Sequence, residues 1–403
     1  MAYVRNSWNK NVSPKGSPQF IFHTKLKRLK QDLIVWNKNV FGKLSLRVSN
    51  AEKDLLNTEM DLDNGVSLVP PTRLLEAKVK LHTALHEEEC FWRQKSRVSW
   101  LKEDYRNTAF FHTSTRVRRA SNHIHSLQDG SRTITDASDI KEHILSHFSS
   151  SYVPPHQSVD ISLLEVVPRI LTPMDNDMLL AIPSAQEIES ITFSLKSSNA
   201  PGSDGFSGYF YHACWDIIHS DIILAIQDFF RDRKILKATN TTFIALIPKG
   251  PNPSTVKDFR PISLCNQWYK IMSKIIARRI ASLLDKLILP QQVAYVPGRI
   301  ISDNICLAHE LAHRMKVNLR GGSMCIKVDI SKAFDKLNWG FLKAAMLKFG
   351  FSPTFINLIT QCISTPMLST LINGSPMVFL VCLVVFVKVT PFPHPYSFSP
   401  KMF

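Results

Sequence analysis

One aspartate at the end of a predicted strand is well placed for metal chemistry. The stretch Cys325–Trp339 begins as an alternating apolar run and then changes to helical spacing, which predicts a strand that leads into a helix. Asp329 lies near the end of that strand and Phe334 follows in the helix. A carboxylate there can bind Mg²⁺ for phosphoryl transfer while the ring shapes the adjacent pocket. A solvated or helix-capping aspartate is the alternative.

Two further strands carry one cation each. Apolar residues predict a buried strand over Thr242–Lys249, and Asp258–Leu264 reads as a second strand that carries Arg260. A Gly-Pro-Asn-Pro-Ser loop joins them, so Lys249 and Arg260 can together bind a triphosphate. Two surface cations on an ordinary hairpin are the alternative.

A third candidate is the segment Phe91–His112, in which basic and aromatic residues alternate. It is followed by the basic residues Arg116, Arg118 and Arg119. Cations that meet phosphates beside rings that stack on bases are typical of RNA contacts. Ring spacing alone does not separate stacking from packing, so these aromatic residues can equally face a core: Trp92, Trp100, Phe110 and Phe111.

Composition points to a polyanionic partner. The 403 residues carry a formal net charge of +16, which favours nucleic acid first and an acidic membrane surface second. Seven scattered cysteines without a Cys-x-x-Cys pair predict free thiols. The N-terminus lacks a signal-peptide core and the longest apolar run is too short to span a bilayer. We therefore expect a nuclear or cytoplasmic protein without membrane contact, whose oligomeric state is open.

Turn- and loop-forming residues divide the chain into four ranges. We expect a helical, basic connector region at 1–148, a linker at 149–182, an α+β domain at 183–374 and an aberrant tail at 375–403. Other predicted elements are two antiparallel N-terminal helices broken near Asp63–Pro71, a hairpin over Ile124–Ile134, a helix capped by Ser184 and Glu187, a tight turn over Asn199–Phe206, an amphipathic helix over Tyr209–Lys234, a basic helix over Trp268–Ile288 and a helix over Ile301–Leu319.

Four motifs in order resemble the reverse transcriptases of plant LINE-type (non-LTR) retrotransposons. They are Leu246-Ile-Pro-Lys249, Asp258-Phe-Arg-Pro-Ile-Ser-Leu264, Gln292-Val-Ala-Tyr-Val-Pro-Gly-Arg299 and Val328-Asp-Ile-Ser-Lys-Ala-Phe-Asp335. The turn Asn199–Gly205 and the segment Phe91–His112 also resemble family segments that precede the fingers. The likeness covers most of residues 20–374.

The resemblance implies the incomplete fingers and palm of a right-hand polymerase, preceded by a mostly helical connector. Such an enzyme extends a DNA primer on an RNA template from deoxynucleoside triphosphates, with two Mg²⁺ ions. It implies that Asp329 binds metal and that Phe334 selects deoxynucleotides. Lys249 and Arg260 would contact the incoming triphosphate, and Gln292 and Arg299 would lie along the template.

The sequence departs from the family pattern where the second carboxylate motif belongs. Two ions roughly 4 Å apart need at least two carboxylates, and the family supplies the others from a Tyr-Ala-Asp-Asp hairpin. No Asp-Asp pair occurs in these 403 residues, and the Arg-Gln-Gly-Asp-Pro-Leu-Ser block is missing as well. We therefore expect a truncated reverse transcriptase domain that is inactive as this chain. The alternative is a non-catalytic relic of a retrotransposon that binds nucleic acid.

The tail offers an explanation for that departure. Val389-Thr-Pro391 can be encoded as GTG ACC CC, one nucleotide out of frame with codons for Gly-Asp-Pro. We therefore expect residues from about Ser375 to be an out-of-frame translation of the missing block.

Overall fold

Helices predominate in the computed structural model, with two small sheets. It describes residues 1–14, 16–64, 70–98, 108–151, 162–293, 296–315, 324–326, 328, 337–377 and 380–381. This mixed architecture is compatible with the expected α+β class. The helices of the first half are α1 (Ala2–Trp8), α2 (Pro18–Trp36), α3 (Leu44–Asp63), α4 (Pro71–Ser96), α5 (Thr108–Ser121) and α6 (Ala137–Ser151), and the hairpin β1 (Leu127–Asp129) and β2 (Arg132–Ile134) lies between the last two.

The second half adds nine helices and five strands among the described residues. In chain order these are α7 (Pro173–Leu180), α8 (Ala185–Ser194), α9 (Gly208–Ala213), α10 (Trp215–Asp232), β3 (Thr241–Pro248), β4 (Phe259–Cys265), α11 (Gln267–Ala281), α12 (Leu284–Leu287), α13 (Ile301–Arg314), α14 (Trp339–Phe349), α15 (Pro353–Ser364), β5 (Met367–Ile372), β6 (Ser375–Pro376) and β7 (Leu380–Val381).

The larger sheet has the order β4-β3-β5-β6, with β7 paired to β5. β3 and β4 are antiparallel, whereas β3 and β5 are parallel. Burial alternates along β3, where Ile244 and Leu246 face the core and Ile247 is 37% exposed. This two-residue period is the one that the sequence predicts for a half-buried strand.

α1 and α2 share a single hydrophobic core with the helices that follow residue 183. Trp8 and Phe22 are fully buried in the same cluster as Ile222 of α10. The indole Nε1 of Trp8 donates to a carboxylate oxygen of Asp221 at 2.7 Å, and Lys25 Nζ donates to the same oxygen at 2.7 Å. The ranges 1–148 and 183–374 therefore pack together, although the sequence divides them.

The helices α3 and α4 form the predicted antiparallel pair. Arg47 of α3 pairs with Glu87 of α4 at 2.7 Å, while Asp54, further along α3, pairs with Lys80, earlier in α4. Partners that advance on one helix and recede on the other require antiparallel axes. The prediction of two antiparallel helices on either side of the break near residues 63–71 is thus confirmed.

Other elements confirm or correct the sequence prediction. The hairpin is confirmed, with Gly130 at φ 59° in its turn. The range 149–182 is not a linker throughout, since it contains α7, whose Leu179 is fully buried. Its Pro173 stands at the first helical position after the N-cap Thr172, where a proline starts a helix instead of interrupting one. Among the helices described, none has the length and apolarity needed to cross a membrane.

Candidate nucleotide and nucleic-acid site

The β3–β4 hairpin places its two predicted cations side by side. Ile247 of β3 lies opposite Arg260 of β4, and the backbone N–H of Lys249 donates to the carbonyl of Asp258 at 2.8 Å. Residues two apart on a strand share a face, so Lys249 and Arg260 are diagonal neighbours, about 7–8 Å apart at the backbone. Both are exposed, on the face opposite Ile244.

The two cations differ in what holds them. Lys249 Nζ donates to the carbonyl oxygen of Lys257, so it also ties the loop between the strands. The Arg260 guanidinium has no hydrogen-bond or ion-pair partner among the described residues. The Ile262 side chain, two residues along the same strand, is 44% exposed. An unpaired guanidinium on an open apolar face can accept an anion without first breaking another contact.

The loop that precedes β4 is held by one carboxylate. Asp258 accepts hydrogen bonds from the N–H groups of Ser254 at 3.0 Å and Thr255 at 2.8 Å, and from the Thr255 hydroxyl. These bonds, first among them the one from the Thr255 backbone, lower the pKa of Asp258. The N–H of Gln128 in β1 donates to the Ser254 carbonyl at 2.7 Å, which links the small hairpin to this loop.

Arg299 organises the loop that contains Gln292. Its guanidinium donates to the carbonyl oxygens of Ile288 at 2.9 Å, Gln292 at 2.8 Å and Leu289, and it pairs with Asp285 at 3.2 Å. Only a small part of the Arg299 side chain is exposed. The structure therefore gives Arg299 a role in loop architecture, and its contact with a template stays a prediction. The side chain of Gln292 is exposed.

The three arginines of α5 do not behave alike. Arg118 donates to the carbonyl of Ser96 and so fastens α5 to the end of α4. Arg116 and Arg119 are exposed and have no partner among the described residues. Two of the three predicted nucleic-acid contacts are thus free to bind phosphate.

The aromatic residues of the segment Phe91–His112 divide between packing and exposure. Phe111 is 1% exposed, so it packs in the protein, whereas Phe110 is 43% exposed. Trp92 is half-buried and meets the ring of His112 edge-on at 4.4 Å. Trp100 lies outside the described residues. Packing accounts for Phe111, and stacking on bases remains open for Phe110.

The two residues predicted for the metal site and its pocket, Asp329 and Phe334, lie outside the described residues. Within the described ranges, no three His, Cys, Asp or Glu side chains are grouped so that they could hold a metal ion. The described residues thus supply no donor set for Mg²⁺.

The turn Asn199–Phe206 is anchored more firmly than its sequence indicates. The Asn266 side-chain oxygen accepts from the N–H of Asp204 at 3.1 Å and from the Ser203 hydroxyl at 3.2 Å, while its amide donates to Thr239. Gly202 lies so close that a Cβ there would be 2.3 Å from the Asn266 oxygen. The tight turn that the sequence predicts is therefore a packed structural unit.

Burial gives Asp204 an unusual ionisation. Burial is the largest cause, and it raises the pKa of Asp204 to about 6 against opposing effects from a Phe206 N–H, Lys30 and Lys270. The Oδ2 atom of Asp204 is buried without a hydrogen-bond partner among the described residues. The sequence contains no signal for this environment, because the groups that bury the carboxylate come from distant segments.

Two comparisons with known proteins bear on the hairpin and its surroundings. Residues 247–385 match the model of the reverse transcriptase (RNA-dependent DNA polymerase) family. The match includes β4, Gln292, Arg299 and Asp329, and it continues beyond Gly374, so the reading frame of the tail stays a prediction. The chain is also similar to the "Transposon TX1 uncharacterized 149 kDa protein" of Xenopus laevis, at 24% identity over 329 residues. That alignment covers 80% of this chain, and the chain spans about a quarter of the relative's length.

Proposed function

Because residues 247–385 are a reverse transcriptase domain, we propose that the chain derives from the RNA-directed DNA polymerase of a LINE-type retroelement. The observation that carries this proposal is the family match, which spans three of the four motifs in full and begins inside the first. Similarity to a transposon protein over most of the chain supports a retroelement origin. The chain would be a partial form of a plant element, consisting of connector, fingers and the first part of the palm.

The hairpin would bind the incoming deoxynucleoside triphosphate. Arg260 supplies an unpaired fork of donors that suits phosphate oxygens, and Lys249 adds a second positive charge on the same face. The exposed apolar surface beside Arg260, formed by Ile247 and Ile262, offers a platform for a base or sugar. Phe334 would exclude a ribose 2′-hydroxyl, as the family resemblance implies.

Polymerisation by this chain is a separate matter from nucleotide binding. Asp329 would be one ligand of Mg²⁺, which would supply positive charge to the reacting phosphates. The 403 residues contain no Asp-Asp pair to complete the set. We therefore propose that this chain binds nucleic acid and nucleotide but does not polymerise, which favours the non-catalytic relic over the enzyme.

The nucleic-acid contacts can be ranked by the partners that the side chains already have. Arg116 and Arg119 are unpaired among the described residues, so they suit template or primer phosphates. Gln292 is exposed at the surface of its loop. Arg118 and Arg299 would contribute by holding α5 and the loop in position, since their donors already bind carbonyl oxygens.

Titration of a fluorescent deoxynucleoside triphosphate into the chain, bound to an RNA–DNA template–primer, tests the hairpin. Arg260→Gln should weaken binding about tenfold, because a hydrogen bond to a charged group is worth about 1.5–3 kcal/mol. Lys257→Gln is the matched control, since Lys257 is an exposed cation on the adjoining loop. Equal affinity for the wild type and Arg260→Gln would remove the hairpin from the nucleotide site.

A further inference from the structure

Five residues contact or adjoin the segment 194–205, and a sixth, Arg278, follows one helical turn after Lys274; we call these six side chains the turn rim. Four are cations and two are exposed aromatic rings: Lys30, Lys270, Lys274, Arg278, Phe193 and Tyr209. They come from α2, α8, α9 and α11. The segment includes the turn that Asn266 anchors.

Hydrogen bonds join the lysines of the rim to the segment 194–205. Lys30 Nζ donates to the Ser203 carbonyl at 3.1 Å, and Lys270 Nζ donates to the Ala200 carbonyl at 3.1 Å. Lys274 Nζ donates to the hydroxyl of Ser194 at 2.8 Å. An ammonium group has three donors, so each lysine is positioned by the turn and keeps donors for another acceptor.

The positive charges of the rim are mutually unfavourable in the free protein. Burial, and then the charge of Arg278, lowers the pKa of Lys274. Burial lowers the pKa of Lys270, and Arg97 at the end of α4 lowers it further, against raising effects from Cys265 and Asp204. Asp204, with a pKa of about 6, is mostly ionised at neutral pH and offsets part of the charge at Lys270. A polyanion on the rim would relieve this repulsion.

The Tyr209 and Phe193 side chains are both partly exposed, although the Phe193 ring also packs against the ring of Trp215 at 5.7 Å. Tyr209 is 64% exposed, and its N–H donates to the Ser197 carbonyl at 3.0 Å, which fixes its backbone to the turn. Phe193 is 47% exposed and immediately precedes Ser194, the partner of Lys274. Exposed rings alternating with cations are the composition of sites that hold unpaired nucleotides, where bases stack and phosphates meet charges.

We propose that the turn rim binds single-stranded RNA, with Lys274 and Arg278 on consecutive phosphates and Tyr209 stacked on a base. This deepens the proposed function and rests on it, since it assigns the RNA strand a surface separate from the nucleotide-binding hairpin. Arg278 is exposed and has no partner among the described residues, so it meets phosphate without losing another contact. Backbone contacts fix the strand and stacking tolerates any sequence, so the site reads no particular bases.

Fluorescence anisotropy tests the proposal. A labelled single-stranded RNA of about 20 nucleotides is titrated with the full chain in the absence of deoxynucleotide. This RNA is longer than the roughly 4–16 nucleotides that one single-strand binding site of an OB-fold protein covers. In the variant Lys274→Gln with Arg278→Gln, the slope of log K against log salt should fall by about 1.4, at about 0.7 per phosphate. The matched control is Arg231→Gln with Lys237→Gln, two exposed cations with the same total charge. The control pair should leave the slope unchanged.

Substitutions at Tyr209 separate the contribution of stacking from that of charge. Tyr209→Ala should weaken binding about tenfold at an unchanged salt slope, whereas Tyr209→Phe, which keeps the ring, should bind as the wild type does. Equal effects of the two double variants, or a duplex DNA that competes as well as the RNA strand, would overturn the proposal. No step of this assay uses deoxynucleotide or polymerisation, so loss of the hairpin's nucleotide site would leave its result unaffected.

Discussion

Arg279 is the buried cation whose removal should destabilise the fold most clearly. Its guanidinium makes two hydrogen bonds to the Glu187 carboxylate, at 3.1 and 2.8 Å, and it donates to the carbonyls of Leu179 at 3.2 Å and Ala181. It also lies over the ring of Phe230 at 5.2 Å. One side chain on α11 thus joins α7, α8 and α10, and its side chain is only 9% exposed.

Arg279→Ala should lower the free energy of unfolding by about 3 kcal/mol. Breaking a buried pair from one side typically costs about 3–5 kcal/mol, and the lower end applies because Glu187 is 26% exposed and can recover some hydration. Urea unfolding followed by circular dichroism measures the change. Arg278→Ala, one residue away and exposed, is the control and should change stability by less than about 0.5 kcal/mol.

Two outcomes would refute this reasoning. One is a loss below about 1 kcal/mol for Arg279→Ala, which is the scale of an exposed ion pair. The other is additivity with Glu187→Gln, because partners in one network should show a coupling energy of about 0.5–3 kcal/mol.

Two further predictions concern the turn at residues 199–206. Burial raises the pKa of Asp204 to about 6, so the folded chain binds this proton more tightly than the unfolded chain does. Its contribution to stability is therefore present below about pH 4 and is lost as the pH rises from about 4 to about 6, by at most about 2–3 kcal/mol. Asp204→Asn should flatten that part of the stability profile in a pH series of urea unfolding curves. An unchanged profile would contradict the assignment. Gly202→Ala should lower the melting temperature by several degrees, because its Cβ would lie 2.3 Å from the Asn266 oxygen. The control Gly250→Ala, whose Cβ would have no atom within 4 Å, should lower it much less. Similar shifts in the two variants would count against the packed turn.

Local pattern was sufficient to predict the site hairpin. The predicted strand Thr242–Lys249 is observed as Thr241–Pro248, and the second strand is displaced by one residue. Alternating burial and a proline-rich loop determine such a hairpin within a short segment, which is why sequence alone locates it. The placement of Lys249 and Arg260 on one face follows from the same two-residue period.

The periodicity of the sequence did not predict the long-range contacts. Arg279 reads as one more surface cation on a basic helix, yet it is buried against Glu187, which is 92 residues away in the chain. Trp8 meets Asp221 across 213 residues, and this contact joins ranges that composition separates. A periodicity shows which side of a helix is apolar, but it does not show which distant element covers that side.

The turn rim was missed for a related reason. The sequence directs attention to Phe91–His112, where cations and rings adjoin along the chain. In the fold, Tyr209 and Lys274 bind Ser197 and Ser194 of one segment, although 65 positions separate them in the chain. Nucleic-acid surfaces assembled from several helices therefore escape a search for local clusters.

Primer extension tests the central claim most directly. The purified 403-residue chain is incubated with an RNA template, an annealed DNA primer, deoxynucleoside triphosphates and Mg²⁺, beside an Asp329→Ala variant. We predict that the chain binds the template–primer and that neither protein adds nucleotides above background, because the carboxylate set for two metal ions is incomplete in this sequence. Incorporation by the wild type that Asp329→Ala abolishes would contradict the account and show an active reverse transcriptase.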